Sequence, residues 1–87
     1  MEDAELLAQL GIFEARLGNW ARSAHFLRKA LARDDNRDDY KLLLAEACVR
    51  VNDFVSALKW ISALQAKQLY PDELNALRRE MASIWVE

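Results

Sequence analysis

The sequence predicts an all-α chain: two antiparallel helix pairs followed by a closing fifth helix. Three observations carry that expectation. Gly occurs twice and Pro once in 87 residues, so very little in the chain breaks a helix. Apolar residues recur at intervals of three and four through most of the chain, the spacing of one helical face. Finally, Arg16-Leu17-Gly18-Asn19-Trp20 returns as Arg50-Val51-Asn52-Asp53-Phe54, offset by about 34 residues, the period of a two-helix repeat. The match extends in both directions: Leu10 pairs with Leu44, Gly11 with Ala45, Ser23 with Ala57, Ala24 with Leu58 and Leu27 with Ile61.

The first helix runs from Asp3 to Arg16, with Leu6, Leu7, Leu10, Phe13 and Leu17 on the stripe expected to face the core. Gly18-Asn19 interrupts it, because Gly accepts φ > 0 and the Asn side-chain oxygen can cap the next helix. The second helix, Trp20 to Arg33, turns Ala24, Leu27, Ala30 and Leu31 inward, and its small Ser23 and Ala24 allow a close crossing with the first. Asp34 to Asp39 is the longest polar stretch and forms the loop between repeats. Its aspartates suit the positive N-terminal end of the third helix and can accept hydrogen bonds from free backbone N–H groups. Clustered carboxylates also suit Ca²⁺, but the glycine and bidentate Glu of an EF-hand loop are missing, so capping is the expected role and no metal is expected.

The third helix, Asp38 to Arg50, places Tyr40, Leu43, Leu44, Ala47, Cys48 and Val51 on its core side, with Leu42 and Val49 on the other. Asn52-Asp53 repeats the first turn, with Asp53 as N-cap. The fourth helix, Phe54 to about Lys67, carries Ala57, Leu58, Ile61 and Leu64, with Trp60 off the centre of that stripe. Pro71 opens the fifth helix, where Asp72 and Glu73 complement the dipole. Its apolar face is Leu74, Leu77, Met81 and Ile84, with Trp85 alongside. The expected divisions are a first repeat over about 4–37, a second over 38–70 and a capping helix over 71–87, all in one domain.

The net charge of -2 offers no basic footprint for nucleic acid or anionic lipid. The start, Met1-Glu2-Asp3-Ala4-Glu5, lacks a basic, apolar leader, and no stretch approaches the ~20 apolar residues of a membrane span. A soluble, cytoplasmic protein is expected. Cys48, the single cysteine, falls on an apolar stripe and reads as a small core residue rather than a reactive thiol. His25 lies among Arg22, Arg28 and Lys29 on the solvated side of the second helix. Without paired metal ligands, a nucleophile beside a base, or a glycine-rich phosphate loop, the chain is not expected to be an enzyme or to hold a cofactor.

Over nearly its whole length the chain resembles the tetratricopeptide repeat (TPR) family, whose pattern is W-x2-L-G-x2-Y, then A-x3-F, then P. Leu7-x2-Leu10-Gly11-x2-Glu14 and Ser23-x3-Leu27 follow it in the first repeat; Lys41-x2-Leu44-Ala45-x2-Cys48 and Ala57-x3-Ile61 follow it in the second. Asp35 stands where Pro is usual, and Pro71 arrives about two residues late. Trp20 and Phe54, just past each turn, would wedge between their own helix pair and the next.

The resemblance implies a right-handed superhelix whose first helix in each pair lines a concave groove. The residues it places there are Ala8, Ile12, Ala15 and Arg16 from the first helix and Leu42, Glu46, Val49 and Arg50 from the third. Their centre is apolar, and Arg16, Glu46 and Arg50 would set register from the rim. Some TPR domains clamp a C-terminal carboxylate with Lys and Asn; here Ala8, Ile12, Leu42 and Glu46 stand instead, which favours a helix or extended apolar segment of a partner protein. In size and mild acidity the chain also resembles small TPR-type bacterial type III secretion chaperones. The alternative is a self-assembling adaptor that uses the groove, Trp60 and Trp85 between identical copies.

Overall fold

In the computed structural model, which describes the backbone of residues 3–86 and the side chains of residues 3–84, every described element is helical. The elements are α1 (Ala4–Arg16), α2 (Trp20–Arg33), α3 (Asp38–Arg50), α4 (Phe54–Ala66) and α5 (Pro71–Val86). The periodicity therefore places all five, with two boundaries adjusted by one residue. Asp3 lies outside α1 as its N-cap, its carboxylate accepting the Leu6 N–H at 2.7 Å. Lys67 is the C-cap of α4 rather than its last residue.

The repeat is written most clearly in the turns. After α1, the Asn19 N–H donates to the Glu14 carbonyl (2.9 Å) and the Gly18 N–H to the Ala15 carbonyl (3.0 Å). After α3, Asp53 and Asn52 donate in the same way to Cys48 (2.8 Å) and Val49 (3.1 Å). Leu69 and Gln68 do so after α4, to Leu64 (3.1 Å) and Gln65 (2.9 Å). Each is a Schellman motif, which closes two orphan carbonyls around one left-handed residue. That residue is Gly18 (φ 81°), Asn52 (φ 63°) or Gln68 (φ 59°), so only the first turn uses the residue that adopts this region without a Cβ penalty.

Capping differs between the two pairs. Asp53 caps α4, accepting the Ser56 N–H at 3.3 Å. Asn19, expected to do the same for α2, makes no capping bond. Its side-chain NH2 donates to Glu14 Oε1 at 3.3 Å, an interaction that supplies a donor to a buried carboxylate.

Helix pairing depends on a close approach at Gly11. A Cβ placed there would stand 2.8 Å from Leu27 Cγ and 3.1 Å from the Ser23 carbonyl oxygen, so α1 and α2 meet at a distance that excludes a side chain at this point. Successive helices pack on one another, and α1 and α5 also approach α3; α2 and α4 do not approach each other. The odd-numbered helices thus converge on one side of the molecule while α2 and α4 diverge on the other. The result is an elongated body of 43 × 29 × 19 Å.

The core contains Leu7, Leu27, Leu44, Val49, Ile61 and Leu64, each at most 1% exposed, together with Cys48 as expected. One part of the expected core is not inside. Leu6, Leu10, Phe13 and Leu17 are 48, 37, 58 and 58% exposed, and α1 buries Leu7, Ala8, Gly11 and Glu14 instead. The physical reason is coverage: among the described residues α1 packs against α2 and, more lightly, α3, which leaves its opposite face open. Leu58 (48%) and Val51 (38%), also expected inside, remain substantially exposed.

The acidic stretch does open α3, but not by the capping expected of it: the N-cap residue is Arg37, with no side-chain capping bond, and the aspartates act in the first turn chiefly through ion pairs. Asp38 meets Lys67 Nζ at 3.1 Å and Lys41 Nζ at 3.4 Å. Asp39 meets Arg37 at 2.9 Å and accepts the Tyr40 N–H at 3.0 Å. Lys67 and Lys41 hold the Asp38 carboxyl below its ordinary value; Arg37 does so for Asp39, and Ser56 for Asp53.

Two tests follow from this packing. Gly11→Val should lower the unfolding free energy by about 1–3 kcal/mol through overpacking, read as a shifted urea midpoint. The three depressed aspartates bind more protons unfolded than folded, so the stability they contribute is complete above the ordinary carboxylate range and is lost as pH falls through their folded values. Urea midpoints should therefore hold above about pH 5 and drop as pH falls through the ordinary Asp value near about 3.9 and below it, and Asp38→Asn should reduce that dependence.

Candidate partner-binding groove

Convergence of α1, α3 and α5 leaves a furrow along the side where they approach. One hollow of about 230 Å³ is lined by Ile12, Ala15 and Arg16 of α1, Trp20, Ser23 and Leu27 of α2, and Leu43 and Glu46 of α3. A second, of about 250 Å³, lies between Leu42, Leu43, Glu46 and Arg50 of α3 and Glu73, Ala76, Leu77 and Glu80 of α5. Leu43 and Glu46 line both, so the two hollows lie on either side of the same stretch of α3. Small Ala15 and Ala76 make the depth, and Ile12, Leu42 and Leu43 make the floor apolar.

Six of the eight residues placed in a groove from the sequence line these hollows: Ile12, Ala15, Arg16, Leu42, Glu46 and Arg50. Ala8 and Val49 do not. Ala8 is 2% exposed and Val49 fully buried, and both belong to the core. Ala8 shares the face of α1 that holds Leu7 and Gly11. Val49 sits on a helix approached by all four others, so its side of α3 is covered. The far wall is not legible in the sequence, because Glu73, Ala76 and Glu80 come from the helix assigned only to capping.

Arg50 has a different role from the free rim charge expected of it. Its Nε lies 2.5 Å from Glu80 Oε1 and its Nη2 3.5 Å from Glu46 Oε2, and its guanidinium is 4.9 Å from the centroid of the Trp20 ring. One side chain therefore joins α3, α5 and the start of α2 beneath the furrow. Trp20 contributes a half-buried ring to the first hollow and, like Phe54 at the equivalent position, packs against the core. Arg16 is exposed at the opening.

Glu14 carries no signal in the sequence pattern and is 7% exposed. Arg22 Nε reaches its Oε2 at 2.6 Å, which with Asn19 compensates the buried carboxylate. The repeat offset holds the clue, since Glu14 stands where Cys48 stands in the second pair, and that position is enclosed. At Cys48, burial pushes the thiol pKa up while Arg28, 3.7 Å from Sγ, pulls it down; Arg28 also pairs with Asp53 at 3.3 Å. His25 is exposed and meets Phe26 edge-on at 5.5 Å. Trp60 is half-buried against the core, with Lys59 over its ring at 4.9 Å. The side chain of Trp85 lies outside the described residues.

Comparison of the chain with protein families, with curated proteins and with solved structures finds no match. Among the described residues, no helix is long and apolar enough to cross a membrane.

Arg50→Ala tests the bracing role. Backbone amides of α5 should exchange faster with solvent while those of the α1–α2 pair stay unchanged, and global stability should fall by no more than about 1 kcal/mol, as for other partly exposed pairs.

Proposed function

We propose that this chain is a TPR-like protein-interaction module that binds an apolar or amphipathic segment of another protein in the furrow over α1, α3 and α5. The single observation carrying the reading is that two mostly apolar hollows adjoin along Leu43 and Glu46 of α3. Ile12, Leu42 and Leu43 are apolar there and Arg16, Glu46, Arg50, Glu73 and Glu80 edge them, which supports a site for an amphipathic segment. The repeated turns, the close α1–α2 crossing at Gly11 and the convergence of odd-numbered helices support a right-handed TPR superhelix of two pairs with α5 as cap. Arg50 pairs with both Glu46 and Glu80, so the edge has little excess of either sign and the apolar lining carries the recognition.

A dedicated chaperone of the secretion type is the specific form we infer, acting in the cytoplasm to cover an apolar segment until assembly. The protein would be isolated from its host together with its partner, and the bound segment identified by mass spectrometry. Leu42→Glu and Ile12→Glu, each with unchanged far-UV circular dichroism, should weaken binding of that segment at least about tenfold. Val55→Glu, at a position 84% exposed on α4, should leave it unchanged. Binding that survives both groove substitutions would refute the reading.

A further inference from the structure

The exposed face of α1 carries a second apolar surface, which adjoins the furrow at Ile12 and Arg16. Leu6, Leu10, Phe13 and Leu17 follow one another at spacings of four, three and four, the alternation of a coiled-coil seam. All are more than a third exposed, and Leu6, Leu10 and Phe13 border a shallow groove along α1 with Gln9 and Arg16. The repeat shows what such a face accepts. At the offset of about 34 residues their counterparts on α3 are Tyr40, Leu44, Ala47 and Val51. The first three of these are at most 3% exposed, on a helix against which the preceding helix pair packs. This position in the repeat is therefore built to be covered by a helix.

The geometry points to a second copy of this chain as the occupant, with α1 packed antiparallel on α1 about a two-fold axis. Three observations select it. The spacing reads identically in both directions, so reversal sets Leu6 against Leu17 and Leu10 against Phe13, and all four residues of each copy are used. The same reversal brings Arg16, at the C-terminal end of α1, toward Asp3 and Glu5 at the N-terminal end of the other copy, which matches charges and opposes the helix dipoles. Third, Phe13 stands where α3 has Ala47, so α1 carries a bulky side chain at a position that is small where the repeat packs on itself. That suits the wider separation of a side-chain seam rather than the close crossing of another stacked repeat. A head-to-tail stack is further opposed because α5 already packs on α4.

The seam spans about three helical turns, less than the ~800 Å² per partner of a standard stable interface, so the dimer should be concentration-dependent. Sedimentation of the whole chain from about 10 μM to about 1 mM should show monomer passing to dimer. Leu10→Lys and Phe13→Glu, each at an already exposed site, should raise the dimer dissociation constant at least about tenfold. Mixing the two variants should restore association, because the introduced lysine of one copy then faces the introduced glutamate of the other. The groove substitution Leu42→Glu should leave dimerisation intact, which separates this proposal from the furrow reading. A monomer across the whole range, a dimer abolished by Leu42→Glu but not by Phe13→Glu, or binding of a different protein's helix to this face in place of self-association would overturn it.

Discussion

Enclosure of α3 is the constraint on which the rest of the structure depends. A helix approached by four others on different sides has little room for large side chains, and α3 meets this with Ala45, Ala47 and Cys48, all fully buried. Large residues are kept to where a neighbouring helix leaves space: Tyr40 at the start, Leu44 and Val49 within. Because α3 touches every other helix, it sets where α1 and α5 lie relative to each other, and so sets the width of the furrow between them. Leu43, on the open side of this helix, lines both shallow hollows.

Polar groups are fitted around that packing. Glu14 is admitted to the α1–α2 pair because Arg22 and Asn19 reach it from just beyond the turn, both as donors. In the second pair the equivalent site holds a thiol, which needs no counter-charge, and Asp53 is left to cap α4. Arg28 then bridges the pairs, touching both Cys48 and Asp53. The two repeats have one backbone design and two different solutions for its buried polar position.

Local features of the fold are legible in the sequence and neighbour-dependent ones are not. Helix limits can be read because Gly18, Asn52 and Pro71 act through their own backbone preferences. The core side of α1 cannot, because Leu6, Leu10, Phe13 and Leu17 form a better apolar stripe than Leu7, Ala8 and Gly11, and only the face that α2 and α3 cover decides between them. For the groove, Ile12, Ala15, Arg16, Leu42, Glu46 and Arg50, which the family resemblance puts on one side of α1 and α3, do line hollows. Ala8 and Val49 are misplaced for the same reason as the stripe: a helical wheel gives angles, but the number of helices packed around it determines which angles remain open.

The far wall of the furrow is also the least anchored element. α5 approaches only α3 and α4, resting on Leu74 and Leu77 and tied by the Arg50–Glu80 pair and by a hydrogen bond from Arg78 to Gln65. Elements with little buried apolar contact are the ones that open most readily. The trough thus has one bank secured by extensive packing and another secured by two leucines and two side-chain ties, which makes its bore depend on Arg50 and Arg78 as much as on the apolar core.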